Sequence, residues 1–449
     1  MPVNPKIFKA YDIRGVYPAE LDEAQAREIG RALVDHLNCK TVAIGRDMRT
    51  SSQPLFTALA EGVTMQGAEV TDIGLVSTDG LYFAVGKFGF EAGVMITASH
   101  NPAQYNGLKI CRQNAIPLSG DQGLNQMRDL INQGQLKTAA SKGTIRSRDI
   151  DLDYINHCLS FVDHKNIWGY KIAVDAGNGM AGRTVPPIFR QLPGTLVPMY
   201  FDLDGTFPNH PASPIEPENI AALQETVVRQ NCDFGAAFDG DADRMFLVDE
   251  KGRALAGSDV AALVAKMLLK KNPGASILYN AICSRCVKET VEKYGGQAIR
   301  SKVGHALIKP LMREHNAVFG GEHSGHFYFR DNWFADSGLI AFLVCWQLIS
   351  EENKPLSQLV DEIDRYVRIP ETNATVQDIP GKLAELEKIY TAKGAQLDHL
   401  DGLTISYPGW WTNIRPSNTE PLLRLNVEAE SQALLDEKMK ELLQVIRRQ

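Results

Sequence analysis

The sequence has no long hydrophobic run. Its longest apolar stretch, Leu339 to Ile349, carries Gln347 inside it and falls short of the roughly 20 residues a helix needs to cross a bilayer. It reads as core, and no membrane association is expected. The opening residues, Met1-Pro2-Val3-Asn4-Pro5-Lys6, lack the apolar centre of a signal peptide, so a cytoplasmic location is expected. Basic residues are not in excess: 47 Lys and Arg face 54 Asp and Glu, for a net charge of −7. A general nucleic-acid surface needs a basic footprint, and no nucleic-acid partner is expected. Cysteine is scarce. Seven scattered residues, an odd number, fit free thiols in a reducing compartment better than a disulfide framework. Cys283-Ser284-Arg285-Cys286 is a lone CxxC without a second pair, which is weak ground for a metal or redox site. What remains is an ordinary globular composition, 44% hydrophobic over 449 residues, enough for three or four domains at roughly 100–200 residues each.

From Thr41 the pattern repeats as strand, turn, helix. Strands are expected at 41–45, 69–73 and 93–96, with helices at 54–66 and 78–87 between them. Such alternation indicates a mostly parallel α/β layer, whose ligands collect at the carboxyl ends of the strands. A polar stretch from Gln133 to Arg148 reads as a linker. The alternation then restarts twice. The fold class is therefore α/β, with three related mixed α/β units and a smaller α+β C-terminal domain. The boundaries read as 1–148, 149–251, 252–366 and 367–449. No residue string repeats, so the relation among the units is one of pattern alone.

Three motifs imitate known sites. Asp175-Ala176-Gly177-Asn178-Gly179-Met180-Ala181-Gly182 has the glycines of a dinucleotide fingerprint after a strand, but Pro186-Pro187 would interrupt the receiving helix. Phe201-Asp202-Leu203-Asp204-Gly205-Thr206 mimics the aspartate nucleophile of haloacid-dehalogenase-type phosphatases, yet it follows a weak strand, 195–200, broken by Pro198. Asp239-Gly240-Asp241-Ala242-Asp243-Arg244, with Glu250 at the twelfth position, imitates a calcium loop but lacks the glycine needed at position 6. Those six residues are still the best metal site in the chain. On an extended loop, carboxylates at i, i+2 and i+4 point the same way and suit a hard divalent cation, Mg²⁺ above all. Ser99, at the end of a buried strand and beside His100, Asn101 and Pro102, is the candidate nucleophile. It lacks the G-x-S-x-G elbow of an acyl-transferring hydrolase.

Four separated strings then fit one family. Thr97–Pro102 (TASHNP), Asp239–Arg244 (DGDADR), Gly321–His326 (GEHSGH) and Arg415–Pro421 (RPSNTEP) resemble the α-D-phosphohexomutases in order and spacing. The opening Phe8–Gly15 (FKAYDIRG) is similar to the phosphomannomutase/phosphoglucomutase branch. The resemblance implies four domains around a central cleft and a mutase that moves a phosphoryl group between O1 and O6 of mannose or glucose. It implies that Ser99 is a phosphoserine and that Asp239, Asp241 and Asp243, with Ser99, hold one Mg²⁺. Glu322 and Ser324 would grip sugar hydroxyls, while Arg415, Ser417, Asn418 and Thr419 would bind the distal phosphate. Tyr11, Arg14, Lys109, Arg244, His305 and His326 match cleft positions. His100 would help to hold the phosphate, and Lys109 and His305 are the candidates for the general base. Glucose 1,6-bisphosphate or mannose 1,6-bisphosphate would be the intermediate and activator. The partners would be small-molecule hexose phosphates, and the chain a monomer or homodimer.

Two departures bear on specificity. His323 stands where many relatives of this branch have methionine and phosphoglucosamine mutases usually have glutamine. A substrate-contacting lysine that some relatives place near 280–283 is missing, with Ile282 there and only Arg285 close by. A phosphoglucosamine mutase, and a sugar phosphatase using Asp202, are the alternatives.

Overall fold

The computed structural model describes residues 2–137, 139–417 and 422–448. Each of the four segments carries its own sheet. In the first, the strands run in the order 13–16, 105–112, 92–96, 41–46, 69–75, 145–147. The pairs 41–46/69–75 and 41–46/92–96 are parallel, and 105–112 returns antiparallel. The second sheet orders 245–249, 234–238, 171–175, 195–199, and the third orders 297–301, 276–280, 319–321, 327–329, 335–336. The last is antiparallel, with 422–429 at its centre flanked by 410–416. The architecture expected from the alternation is present: three mixed α/β layers and a smaller antiparallel α+β domain.

The apolar run at Leu339 lies in the helix Gly338–Glu352, whose residues from Gly338 to Ser350 are all buried. It packs beside the helix Gly257–Lys271 in a core that extends through the second and third segments and into the first. A helix apolar on all sides is thus a core helix of a large protein. Among the described residues no helix is long and apolar enough to cross a membrane. All seven cysteines are free and buried.

Three local expectations are corrected. The stretch from Gln133 to Arg148 is not all linker, because Ile145–Ser147 adds a parallel strand to the edge of the first sheet. Pro198 does not break its strand. Thr195–Met199 lies at a sheet edge and pairs only with Lys171–Asp175, and an edge strand tolerates a missing N–H. Pro186 and Pro187 do not interrupt the helix Ala181–Phe189, which is only nine residues long and is held by burial of Val185 and Ile188. The preceding glycines serve close packing instead. A Cβ on Gly179 would lie 2.6 Å from the Gly240 carbonyl, and one on Gly182 would lie 2.2 Å from that of Phe201.

Candidate active site

Strand Ala92–Ile96 is wholly buried and delivers Ser99 just past its carboxyl end. The turn is tight. Ser99 takes φ +52°, its N–H donates to Thr97 Oγ1 at 2.9 Å, and Asn101 N–H donates to the Ala98 carbonyl at 3.0 Å. A left-handed serine persists only where its surroundings over-determine it. Here Arg49 does so. Its fully buried guanidinium donates to the carbonyls of Ser99, Asn101, Pro102 and Tyr105 at 2.6–3.0 Å, with Asp47 at 3.2 Å as counter-charge. Sequence reasoning missed Arg49. The available signal was its place two residues past the strand-end Arg46-Asp47 pair.

The second segment brings the carboxylates to this serine. Gly240 packs so closely that a Cβ there would lie 2.6 Å from the Ser99 carbonyl. Ser99 Oγ donates to Asp239 Oδ2 at 2.8 Å, and Arg244 Nη2 donates to Ser99 Oγ at 3.1 Å. Asp239, Asp241 and Asp243 are fully buried, and one oxygen of each lies within 4.8 Å of the others. The extended loop assumed for them is a turn: Ala242 N–H donates to the Asp239 carbonyl at 3.0 Å and Ala242 has φ +61°. The carboxylates converge because the chain curls around them.

The charges are unbalanced. Lys109 Nζ bridges Asp241 at 2.7 Å and Asp243 at 2.5 Å, and Arg244 Nε reaches Asp239 at 3.1 Å. Three buried carboxylates thus face two cations, and Asp241 Oδ1 and Asp243 Oδ1 are buried without a hydrogen-bond donor. Burial, then the neighbouring Asp243 and Asp241 charges, push the Asp239 carboxyl up to about 7. Burial alone would raise Asp241 too, but Lys109 holds it below the usual carboxylate range. A group of this donor set with orphaned oxygens fits a hard divalent cation. Lys109, a candidate for the base from sequence, is bridged between two of these carboxylates. Burial disfavours its charge, yet the two aspartates outweigh that and hold its proton well above the ordinary range. His100 lies against Arg244 and 3.3 Å from Ser99 Oγ. The guanidinium charge, then burial, keep it neutral.

A pocket of about 300 Å³ opens onto Ser99, with Tyr11, Arg14, His100, Lys109, Arg244 and His326 among its walls. Arg14 donates to Asn101 Oδ1 at 2.7 Å. His326 is oriented by Asp336, 3.0 Å from its Nδ1, and Asp336 in turn meets the buried Lys309 at 2.5 Å. Neither Asp336 nor Lys309 was anticipated. A cleft of about 1300 Å³ continues from there and is lined by Ser324, Arg415 and Ser417. Arg415 is held by Glu371 at 2.9 Å. Glu322 is not on the cleft wall in this form. It is 1% exposed and accepts from Asn280 Nδ2, the Gly304 N–H and Tyr328 Oη. Arg285 is no substitute for the missing lysine, since its guanidinium donates to the carbonyls of Pro408 at 2.8 Å and Tyr407 at 2.7 Å. Asn418, Thr419 and the His305 side chain lie outside the described residues. Asp202 is exposed and lines neither the pocket nor the cleft.

Four family models match along the chain. They describe the α/β/α domains I, II and III of phosphoglucomutase/phosphomannomutase, at residues 5–137, 152–252 and 256–366, and its C-terminal domain, at 367–445. The chain is 38% identical over 452 residues to a phosphomannomutase of Salmonella montevideo, covering 99% of both chains. It is 40% identical over 442 residues to a protein named phosphohexose mutases from Xanthomonas campestris pv. campestris, covering 98% of this chain and 99% of the other. Among solved structures it is similar to a phosphoglucomutase/phosphomannomutase family protein of Burkholderia thailandensis. That match has a TM-score of 0.90 at 32% identity over 99% of this chain and 98% of the other.

Proposed function

The chain belongs to the α-D-phosphohexomutase family, in its phosphoglucomutase/phosphomannomutase group, and we propose that it interconverts hexose 1-phosphate and hexose 6-phosphate, with mannose or glucose as the sugar. The observation that carries this reading is the contact between Ser99 and Asp239 inside a buried carboxylate triplet at the mouth of a long cleft. A serine so placed is suited to carry a phosphoryl group and poorly suited to acyl transfer, because neutral His100 is spent on Arg244.

Asp239, Asp241, Asp243 and Ser99 would hold Mg²⁺, which neutralises charge on a transferring phosphoryl group when bound. Arg244 and Lys109 add fixed positive charge on the same side. Phosphoryl transfer depends mostly on alignment and charge. The P–O bond to phosphorylated Ser99 breaks as the free hydroxyl of the bound hexose phosphate attacks. Its proton passes to a base in the pocket, and Ser99 Oγ takes up a proton as it leaves phosphorus. Lys109 and His305 are the candidates for that base. The product of this half is a 1,6-bisphosphate of the hexose. After reorientation it returns its other phosphoryl group to Ser99. Arg415 and Ser417, with Asn418 and Thr419, would hold the phosphate that does not react, in either orientation.

The test is intact mass with phosphopeptide mapping of the purified chain, together with a Ser99→Ala variant. A phosphate on Ser99, and a folded variant without turnover, are expected. Full turnover in Ser99→Ala would overturn the reading. A panel of mannose 1-phosphate, glucose 1-phosphate and glucosamine 1-phosphate separates the sugars, and chelation with Mg²⁺ restoration tests the cation.

A further inference from the structure

His323 is fixed at two points by the start of the helix Gly257–Lys271. A Cβ on Gly257 would lie 2.4 Å from the His323 carbonyl, so the loop backbone sits directly on the helix end. The ring is held by Ser258, whose Oγ is 3.0 Å from His323 Nδ1. That hydroxyl is itself fully buried and accepts the Ser284 N–H at 3.0 Å. A buried hydroxyl that accepts a backbone N–H still needs an acceptor for its own hydrogen, and His323 Nδ1 is within hydrogen-bond distance. With Oγ–H donating to Nδ1, the ring proton is on Nε2. Burial, then the Arg368 charge, push the imidazole down to about 4, which keeps it neutral near pH 7. His323 lines the 1300 Å³ cleft, as Ser324 and Ile282 do, whereas Glu322 beside it is turned into the protein and largely saturated.

We infer that His323, its tautomer set by Ser258, is a specificity residue that donates its Nε2–H to a sugar oxygen of the bound hexose phosphate. The inference rests on the mutase reading for its ligand. An uncharged donor suits an uncharged hydroxyl or ether oxygen, while Arg415 and its neighbours are the cationic groups for phosphate. A neutral donor that helps to bind substrate and transition state alike changes KM and leaves kcat nearly constant.

The test uses the full chain. His323→Met is expected to raise KM for the preferred hexose 1-phosphate about fivefold, the value of one neutral hydrogen bond, with kcat nearly unchanged. His323→Gln, which keeps a side-chain N–H, recovers most of that loss, and Ser258→Ala reproduces part of it. With 2-, 3- and 4-deoxyglucose 1-phosphates, the His323→Met penalty should vanish for the one analogue that lacks the partner oxygen. Melting curves establish that each variant is folded. Calorimetric binding of glucose 1-phosphate to wild type and His323→Met gives the same comparison without turnover. If binding weakens in the variant while wild type turns nothing over, the mutase reading fails and His323 keeps its role. Normal turnover with an unchanged KM in both His323→Met and Ser258→Ala overturns the inference alone.

Discussion

Arg49 Nη2 donates to the carbonyl of Ser99 at 2.8 Å, and the same guanidinium holds the carbonyls of Asn101, Pro102 and Tyr105. One buried cation therefore ties down the turn that presents the nucleophile. Carbonyls brought together like this need a donor of matching fork geometry, which lysine does not have. Arg49→Met is expected to lower stability by about 3–5 kcal/mol, since it also leaves the buried Asp47 unpaired. Arg49→Lys should keep more of the stability but cost about 100-fold in kcat, the scale of a 1 Å misplacement. Urea denaturation and steady-state kinetics check the two effects. Wild-type kcat in Arg49→Lys would show that the turn holds itself.

Gly240 makes the complementary contact from the second segment. Its missing Cβ is what lets the carboxylate loop lie on the Ser99 carbonyl. Gly240→Ala should push the two loops apart, stretching the 2.8 Å contact from Ser99 Oγ to Asp239. The expected result is a fall of about 100-fold in kcat with KM little changed, because alignment is lost while the remote sugar and phosphate contacts remain. A variant of full activity would mean that the loops shift together without harm.

Asp79 supplies a further pH signature. It is buried between Ser77 and Ser337, whose hydroxyls donate to it, and so joins the first segment to the start of the helix Gly338–Glu352. Burial is the main cause that pushes its carboxyl from 3.8 up to about 6. The folded state thus binds the proton more tightly than the unfolded chain. The stabilisation this brings is complete below pH 3.8 and is lost as pH rises through about 6. A shift of this size corresponds to about 3 kcal/mol. Asp79→Asn is always neutral, so its destabilisation relative to wild type should be smaller at pH 8 than at pH 4.5 by up to that amount. Denaturation at the two pH values measures the difference, and equal values would remove Asp79 from the pH dependence.

How much of this was legible in the sequence differs from site to site. Ser99 and the DGDADR string could be located because each is local: a strand end followed by Asn-Pro, and three acids at alternate positions. The Pro186-Pro187 pair and Pro198 misled local reasoning, since what tolerates them, side-chain burial and an edge position, is not a property of neighbouring residues. The roles of Arg49, Asp336 and Glu371 were invisible for the same reason. The carbonyls that Arg49 holds, and the partners of Asp336 and Glu371, lie 10 or more residues away, as with Glu371 and Arg415.

The sequence by itself determined the class of fold, through its repeated strand–helix alternation, and it determined the chemical inventory: a serine, an acidic triplet, a loop to read sugar hydroxyls and a phosphate-type loop on separate segments. Only the tertiary structure decided how that inventory is wired. It set Lys109 between two aspartates as a held cation, turned Glu322 inward, committed Arg285 to the carbonyls at 407 and 408, and left His323 facing the cleft. The physical reason is that charge and hydrogen-bond partnership depend on distance in space. Contacts of 2.5–2.8 Å join residues more than 130 positions apart here, as Lys109 to Asp241 and Asp243 and Ser99 to Asp239 do.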